Sequence, residues 1–193
     1  MYSMKFFETI KCEDYEIFNL DFHKKRIANT VGLNINLEEY IYPPNAKLIK
    51  CKLIYDECGV TDVLYDVYVK KDVTSFQLVY DDNIKYNKKA LLRDDLDALS
   101  EKRKKSDEII IVKNNLITDT SIANIAIYLD EEWITPKVAL LEGTTKARYV
   151  ENNILKLKDI TLEMLKNCTE FATLNAMIGF NIIEDFKIEG YKK

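Results

Sequence analysis

The chain has 193 residues, of which 47% are apolar and 31% are charged. This composition is typical of a globular domain and argues against disordered, collagenous and coiled-coil proteins. The 28 basic and 32 acidic residues give a net charge of −4, whereas nucleic-acid-binding proteins usually carry a basic excess, so no nucleic-acid partner is expected.

Apolar stretches are short throughout the chain. None approaches the roughly 18 consecutive apolar residues that a membrane helix requires, and Glu8 and Lys11 interrupt the apolar start where a signal peptide would lie. We therefore expect no membrane partner and a cytoplasmic location.

The first eighty residues predict mainly strands. Residues 4–10 and 15–20 flank a polar turn and predict a hairpin. An apolar stripe then predicts a short helix that ends at Gly32. Residues 47–56 and 62–70 alternate between apolar and polar side chains, which is typical of half-buried strands. This half predicts a small antiparallel sheet with a helix on one face.

A polar break at Asp81-Asp82-Asn83 predicts the boundary between two domains. A small α+β domain is expected over residues 1–81, and a larger domain over residues 82–193. In the larger domain, apolar residues at helical spacing predict helices at 92–99, at 144–157 and at 161–171. Short apolar runs predict strands at 108–112, 116–119, 125–129 and 133–136.

Several common site motifs are missing from the sequence. The four cysteines form no CxxC pair and His23 is the single histidine, so no metal site is expected. No GxGxxG, P-loop or GxSxG motif occurs.

Three features of the chain can carry chemistry together. Lys85 follows the predicted boundary, Asp119 ends a predicted strand, and Gly143-Thr144-Thr145 opens a predicted helix whose N-terminus can hold a phosphate. Arg26 could add a fork of donors to the same phosphate. A lysine, an acid and a phosphate cradle are what an enzyme dependent on pyridoxal 5'-phosphate (PLP) provides. Read singly, each residue also fits an ordinary surface, turn or capping role.

Short motifs in chain order resemble those of the class IV aminotransferases, the PLP enzymes of fold type IV. The motifs are Phe7-Glu8-Thr9, His23-Lys24-Lys25-Arg26, Ile84-Lys85-Tyr86-Asn87, Asp107 through Asn124, Trp133-Ile134-Thr135-Pro136 with Gly143-Thr144-Thr145, and Leu174-Asn175-Ala176-Met177. Each motif is weakly specific alone, but their order and spacing together are fairly specific.

The resemblance implies a fold, a cofactor and roles for individual residues. It implies an α+β fold, in which a small α/β sandwich-like domain precedes a larger domain with a barrel-like mixed sheet and helices, as in D-amino-acid aminotransferase. It implies PLP as cofactor, Lys85 as the catalytic lysine that forms the Schiff base, a small-molecule amine substrate and a homodimer. The cofactor-binding residues it implies are Lys85, Arg26, Asp119, Asn124, Thr144, Thr145 and Asn175.

Within the family, the motifs look most like those of 4-amino-4-deoxychorismate lyases. Aminotransferases for D- or branched-chain amino acids share the same motifs, and a catalytically degenerate member is a third possibility. Two departures bear on this choice. Lys85 lies only 59 positions after Arg26 (85 − 26), which implies a trimmed small domain, and Asp119 stands where the family has glutamate. Lys146 and Arg148 fit either substrate-carboxylate binding or solvated helix positions.

Overall fold

The first strand, β1 (Phe6–Glu13), buries every second side chain and organises the first of two compact units. Both units are seen in a computed structural model, which describes residues 3–192. The elements that follow are β2 (Glu16–Ile17), α1 (Leu20–Val31), a 3-10 turn (Leu37–Glu39), β3 (Ile49–Asp56) and β4 (Gly59–Val67). All neighbouring strands are antiparallel, in the order β2-β1-β3-β4. The predicted antiparallel sheet with one helix is confirmed.

Local backbone chemistry explains where these elements turn. Asp14 and Tyr15 both have positive φ angles, 50° and 64°, as the two-residue turn between twisted antiparallel strands requires. Gly32 ends α1 in the left-handed conformation, with φ 78°, and donates its N–H to the carbonyl of Ala28. A glycine adopts this conformation without steric cost, so the helix ends there.

The core of the first unit lies between the sheet and α1. Ile10, Leu53 and Tyr55 point inward from the strands and pack in one cluster with Ile27 of α1. The predicted alternation of strand 62–70 extends too far, because β4 ends at Val67 and both Val67 and Val69 are exposed. β4 is an edge strand and pairs with β3 on one side only.

The second unit is built from two mixed sheets and three helices. Its elements are β5 (Ser75–Tyr80), α2 (Asp94–Ser100), a 3-10 turn (Glu101–Arg103), β6 (Glu108–Lys113), β7 (Leu116–Ile117), β8 (Asn124–Leu129), β9 (Glu132–Pro136), α3 (Thr144–Glu151), β10 (Lys156–Lys158), α4 (Leu162–Asn167), β11 (Glu170–Asn175), β12 (Gly179–Ile183) and β13 (Lys187–Glu189). One sheet has the order β13-β5-β6-β7 and the other β10-β9-β8-β11-β12.

The two sheets of this unit share one apolar core. Phe76 and Ile110 from the first sheet pack in the same cluster as Ile125 and Phe171 from the second. The Phe76 and Phe171 rings lie 4.9 Å apart, edge to face, a favourable geometry for aromatic pairs. A mixed sheet folded around one core in this way confirms the predicted fold class, with a barrel-like larger unit.

The compact units divide the chain at two places. The first comprises the residues up to Lys70 together with Lys88–Leu92, and the second comprises Lys71–Asn87 and the chain from Arg93 onwards. The sequence analysis placed the boundary after residue 81, with β5 in the first domain. In the structure β5 pairs in parallel with β6 and so lies with the second unit.

Three predicted helices exist, but their ends differ from the prediction. Leu92 lies outside α2 and is 81% exposed. Leu157 lies in β10, and Phe171 lies in β11 where it pairs with Ile127. All three residues continue a helical spacing, but Leu92 is exposed to solvent and the other two belong to strands. Tertiary packing here overrides local periodicity. Within the part of the chain described, the longest helix is α1, and its twelve residues are too few to cross a bilayer.

Candidate active site

Hydrogen bonds within the loop between β7 and β8 define its conformation. Thr120 accepts the backbone N–H groups of Ile122 and Ala123 at its hydroxyl, at 3.2 and 2.8 Å. Its hydroxyl also lies 3.1 Å from the carbonyl of Ala123. At the two ends of this loop, Asp119 and Asn124 face each other, and Asn124 Nδ2 donates to Asp119 Oδ1 at 2.5 Å.

The Asp119–Asn124 pair binds the segment that leads into α3. Asp119 Oδ2 accepts the backbone N–H of Leu140 and, at 3.1 Å, that of Leu141. Asn124 Nδ2 donates to the carbonyl of Leu141 at 2.9 Å. Asp119 is only 4% exposed. Burial raises its pKa to about 6, although the bonds from Asn124, Leu141 and Leu140 and the charge of Lys146 favour the ionised form.

The start of α3 offers donors to an anion. Gly143 precedes the helix in an extended conformation, and no side chain caps the helix among the described residues. Thr144 and Thr145 are buried at the first two helical positions. The unbonded amides of a first helical turn and the helix dipole both favour a negative group. These residues therefore suit a phosphate, as the sequence predicted.

Gly143 is packed against Asn124 so closely that only glycine fits. A Cβ atom at this position would lie 1.8 Å from Asn124 Oδ1. Asn124 cannot easily move away, because its amide is bonded to Asp119 and to Leu141. The predicted residues Asp119, Asn124, Thr144 and Thr145 thus meet around one short segment, residues 140–143.

Lys146 is a functional candidate whose environment the sequence did not reveal. It is 2% exposed, so of its two alternatives the solvated helix position is wrong, and binding of a substrate carboxylate stays a prediction. Its ammonium group forms an ion pair with Glu142 at 3.2 Å, one helical turn earlier. The spacing of Glu142 and Lys146 could have suggested this pair, but nothing in the local sequence indicates that the lysine is buried.

Lys85 is exposed and lines a cavity of about 380 Å³ in the second unit. This volume is in the range of small-molecule sites. Thr118 and Leu140 also line the cavity. Thr118 precedes Asp119 in the chain, and Asp119 accepts the backbone N–H of Leu140. The cavity therefore adjoins the surroundings of Asp119. Nearby, Lys113 Nζ donates to the carbonyl of Ile84 at 2.6 Å, which fixes the backbone just before Lys85.

Asn175 lies at the end of β11 and shapes the turn into β12. Its Oδ1 accepts the backbone N–H groups of Met177 and Ile178 at 2.9 and 3.1 Å. Its Nδ2 lies 3.4 Å from the carbonyl of Ile122. The structure therefore brings Asn175 beside the loop that carries Asp119 and Asn124.

Arg26 belongs to the first unit, where it is part of a buried charged cluster. Its Nε donates to Glu8 Oε1 at 2.8 Å and its Nη2 donates to Glu8 Oε2. His23 Nδ1 lies 2.5 Å from Glu8 Oε2. His23 is buried, as expected for a structural role. The role of Glu8 was not predicted, although an acidic residue on the inward face of an alternating strand was a signal for it.

Burial and the neighbouring groups together determine which members of this cluster are charged. Burial opposes ionisation of Glu8, but the charge of Arg26 and the hydrogen bond from His23 outweigh it and lower the pKa of Glu8 to about 2. Burial also lowers the pKa of His23, against the effect of Glu8. His23 is therefore neutral at pH 7 and donates from Nδ1, so the bidentate ion pair of Arg26 and Glu8 holds the charges of the cluster.

Comparison with known proteins identifies the family. The model of the family described as amino-transferase class IV matches residues 74–185, more than half of the chain. An uncharacterized protein of Haemophilus influenzae is 31% identical over 184 residues, which cover 90% of this chain and 97% of that protein.

Solved structures have the same fold. A candidate 4-amino-4-deoxychorismate lyase from Haemophilus somnus 129PT superposes with a TM-score of 0.79 at 28% identity, covering 93% of this chain and 99% of that one. The PLP-bound form of a hypothetical aminotransferase from Mycobacterium tuberculosis has a TM-score of 0.78 at 14% identity, covering 97% of this chain and 82% of that one. At this lower identity, the likeness concerns the fold alone.

The family resemblance seen in the sequence motifs is thereby confirmed. The part of the chain that matches the family model, residues 74–185, contains Lys85, Asp119 and the Gly143-Thr144-Thr145 segment. The chain belongs to the class IV aminotransferase family, the PLP-dependent enzymes of fold type IV.

Proposed function

We propose that the protein is a PLP-dependent lyase that releases pyruvate from 4-amino-4-deoxychorismate and leaves 4-aminobenzoate, a folate precursor. The observation that carries this proposal is the similarity, over nearly the full length of both chains, to the Haemophilus somnus protein described as a candidate for this activity. The motifs at Phe7-Glu8-Thr9, His23 to Arg26 and Asn175-Ala176-Met177 support the same choice within the family.

The residues of the site fit the cofactor chemically. We propose that Lys85, Arg26, Asp119, Asn124, Thr144, Thr145 and Asn175 hold PLP. The uncapped start of α3 with its buried hydroxyls suits the phosphate. Asp119 accepts three hydrogen bonds, and a carboxylate can accept about four, so one acceptor position remains for a protonated ring nitrogen. When bound, PLP supplies an electron sink for the carbon that bears the substrate amine.

The chain's own part in the reaction is proton transfer and orientation. The Lys85 amine accepts the proton from the carbon that bears the substrate amine. Loss of that proton allows the bond between the neighbouring ring carbon and the ether oxygen to break, and the ring then becomes aromatic. The enolpyruvate that leaves with the ether oxygen takes up a proton on its methylene carbon and is released as pyruvate. The negative charge of Asp119 favours a protonated ring nitrogen. The first turn of α3 would hold the phosphate through its backbone N–H groups and the hydroxyls of Thr144 and Thr145.

An aminotransferase acting on D- or branched-chain amino acids is the alternative, and the family description favours it. It would use the same residues, but Lys85 would return the proton to the cofactor. A panel of amino-acid donors separates the two activities. Conversion of the cofactor to its amine form by a donor supports the aminotransferase, and release of 4-aminobenzoate from aminodeoxychorismate supports the lyase. Failure of both, together with failure to bind PLP, would indicate a degenerate member.

The decisive experiment is an absorbance spectrum of the purified protein with PLP. We expect a visible band that borohydride bleaches, which the Lys85→Ala variant lacks and a Lys105→Ala variant retains. Lys105 is an exposed lysine that is neither a proposed site residue nor part of the cavity lining. Equal spectra for wild type and Lys85→Ala would refute the assignment of Lys85.

Assembly and location complete the proposal. We propose a cytoplasmic homodimer, because members of the family generally dimerise. Size-exclusion chromatography at several protein concentrations should give twice the monomer mass of 22.5 kDa. A single monomeric species at all concentrations would overturn this part of the proposal without affecting the assignment of Lys85.

A further inference from the structure

Residues 140–143 are the last part of the segment between β9 and α3, the helix that presents the phosphate cradle, and they belong to no helix or strand themselves. Their position depends on side chains from the 119–124 loop. Asp119 accepts the N–H groups of Leu140 and Leu141, and Asn124 donates to the carbonyl of Leu141. Asn124 also packs on Gly143, immediately before α3. One carboxylate and one amide therefore hold the backbone of Leu140 and Leu141 and pack against Gly143.

We propose that Asp119 is a positioning residue for the phosphate cradle, in addition to its proposed role at the ring nitrogen. It acts through its bonds to Leu140 and Leu141, which set the start of α3 where Thr144 and Thr145 meet the phosphate. This inference rests on the proposed function, since it takes PLP as the ligand of the site. One aspartate would then contribute to binding at the ring nitrogen and at the phosphate of the cofactor.

The geometry explains why an aspartate is suited to this position. Asp119 Oδ2 reaches two consecutive backbone N–H groups while Oδ1 receives Asn124 Nδ2. A glutamate would carry its carboxylate one methylene further from the same backbone, and could not make these bonds without moving the segment. Because backbone amides bind a phosphate only at hydrogen-bond distance, a shift of the segment weakens phosphate binding specifically.

A comparison of PLP with pyridoxal, which lacks the phosphate, tests the inference. Equilibrium dialysis measures the dissociation constants of both compounds for the wild type and for Asp119→Asn and Asp119→Glu variants. We expect each variant to weaken PLP at least tenfold more than pyridoxal. Thr145→Val, which changes the cradle directly, sets the size of a purely phosphate-dependent loss. Equal weakening of the two compounds by the Asp119 variants would overturn the inference.

The Asp119→Glu variant gives the sharper result. It keeps the negative charge for the ring nitrogen but removes the short reach to Leu140 and Leu141. If Asp119 served only the ring nitrogen, Asp119→Glu would retain the affinity for PLP, and that result also contradicts the inference.

A second variant covers the case in which changes at Asp119 prevent folding. Asn124→Ala removes the bond to Asp119 and the bond to the Leu141 carbonyl but leaves the carboxylate intact. We expect a loss that again falls on PLP more than on pyridoxal, and an equal loss would overturn the inference. Failure of the PLP assignment is recognised separately, because the wild type itself would then bind neither compound. Failure of the lyase activity alone is recognised by the absence of 4-aminobenzoate from a wild type that still binds PLP.

Discussion

Glu8 is a buried carboxylate whose charge is balanced within the first unit. It is fully buried on the inward face of β1, and both of its oxygens are bonded to Arg26 while Oε2 also meets His23. Taking a carboxylate out of water is expensive unless a partner is fixed beside it. The bidentate Arg26 supplies that partner, so the two residues depend on each other.

The Glu8→Gln variant tests this dependence. It leaves the Arg26 guanidinium buried without its counter-charge, and we expect the free energy of unfolding to fall by about 3 kcal/mol, since breaking a buried pair from one side typically costs 3–5 kcal/mol. Urea denaturation measures the change. Glu13→Gln in the same strand is the matched control, because the Lys11–Glu13 pair is partly exposed and such pairs contribute about 1 kcal/mol or less. Equal losses in the two variants would contradict the prediction.

The stabilisation from Glu8 should disappear in acid. Its pKa in the folded protein, about 2, lies below its ordinary value of 4.5. Stability from such a group is present above pH 4.5 and is lost as the pH falls toward 2, by about 3 kcal/mol in all. The difference in unfolding free energy between wild type and Glu8→Gln should therefore shrink over this range. A difference that stays constant from pH 5 to pH 2.5 would refute it.

The titration of Asp119 does not affect the difference in unfolding free energy between wild type and Glu8→Gln. Burial raises its pKa to about 6, so it contributes in the opposite sense, and stability is lost as the pH rises from about 4 to about 6. Both proteins contain Asp119 unchanged, and the effect cancels in the difference between them.

At the residue scale, the sequence predicted candidates where residue type and position agree, and their roles in cofactor binding stay predictions. Lys85, Asp119 and Thr144 were selected because a lysine, an acid and a helix start with hydroxyls suit one cofactor. The roles of Glu8 and Lys146 were not predicted, because the burial of a charged side chain depends on partners brought from elsewhere in the fold or from the preceding turn. Nor does the sequence reveal that Asp119 binds backbone groups of Leu140.

At the element scale, the approach to α3 depends on the absence of a side chain at Gly143. Its φ of −74° and ψ of 139° are open to any residue, so the requirement for glycine is the close packing against Asn124 alone. A Gly143→Ala variant must displace an amide that is held by hydrogen bonds to Asp119 and Leu141. We expect it to lower the free energy of unfolding by about 2 kcal/mol, within the range for overpacking.

A double-mutant cycle shows whether this close packing is the cause. In an Asn124→Ala background the obstructing oxygen is gone, and adding Gly143→Ala should then change the unfolding free energy by less than about 0.5 kcal/mol. Both comparisons use urea denaturation. If Gly143→Ala destabilises equally in the two backgrounds, the clash with Asn124 is not the reason for glycine.

Strands were predicted more reliably than helix ends. Buried and half-buried side chains alternate along β1 and along the first half of β3, and a period of two is visible in a sequence. The ends of α3 and α4 were predicted too far along the chain, because apolar residues that continue the helical spacing belong to β10 and β11 instead. A strand that pairs with a distant neighbour leaves no local signal of that pairing.

At the scale of the whole molecule, cofactor binding and unfolding are linked. A ligand that binds only the folded protein stabilises it by about 2.7 kcal/mol when present at 100 times its dissociation constant. For a chain of about this length, 1 kcal/mol shifts the melting temperature by roughly 2–4 °C. PLP at that excess should therefore raise the melting temperature of the wild type by roughly 5–10 °C.

The same concentration of PLP should stabilise Lys85→Ala less, because the variant loses the covalent attachment but keeps the residues at the start of α3. Pyridoxal should stabilise the wild type less than PLP does, because it lacks the group that those residues bind. Differential scanning calorimetry with each compound measures both effects. The two losses of stabilisation arise from separate parts of the site. Pyridoxal should therefore cause almost no change in the melting temperature of Lys85→Ala. A full PLP-induced shift in Lys85→Ala would show that the cofactor binds without this lysine and would remove the basis for its catalytic role.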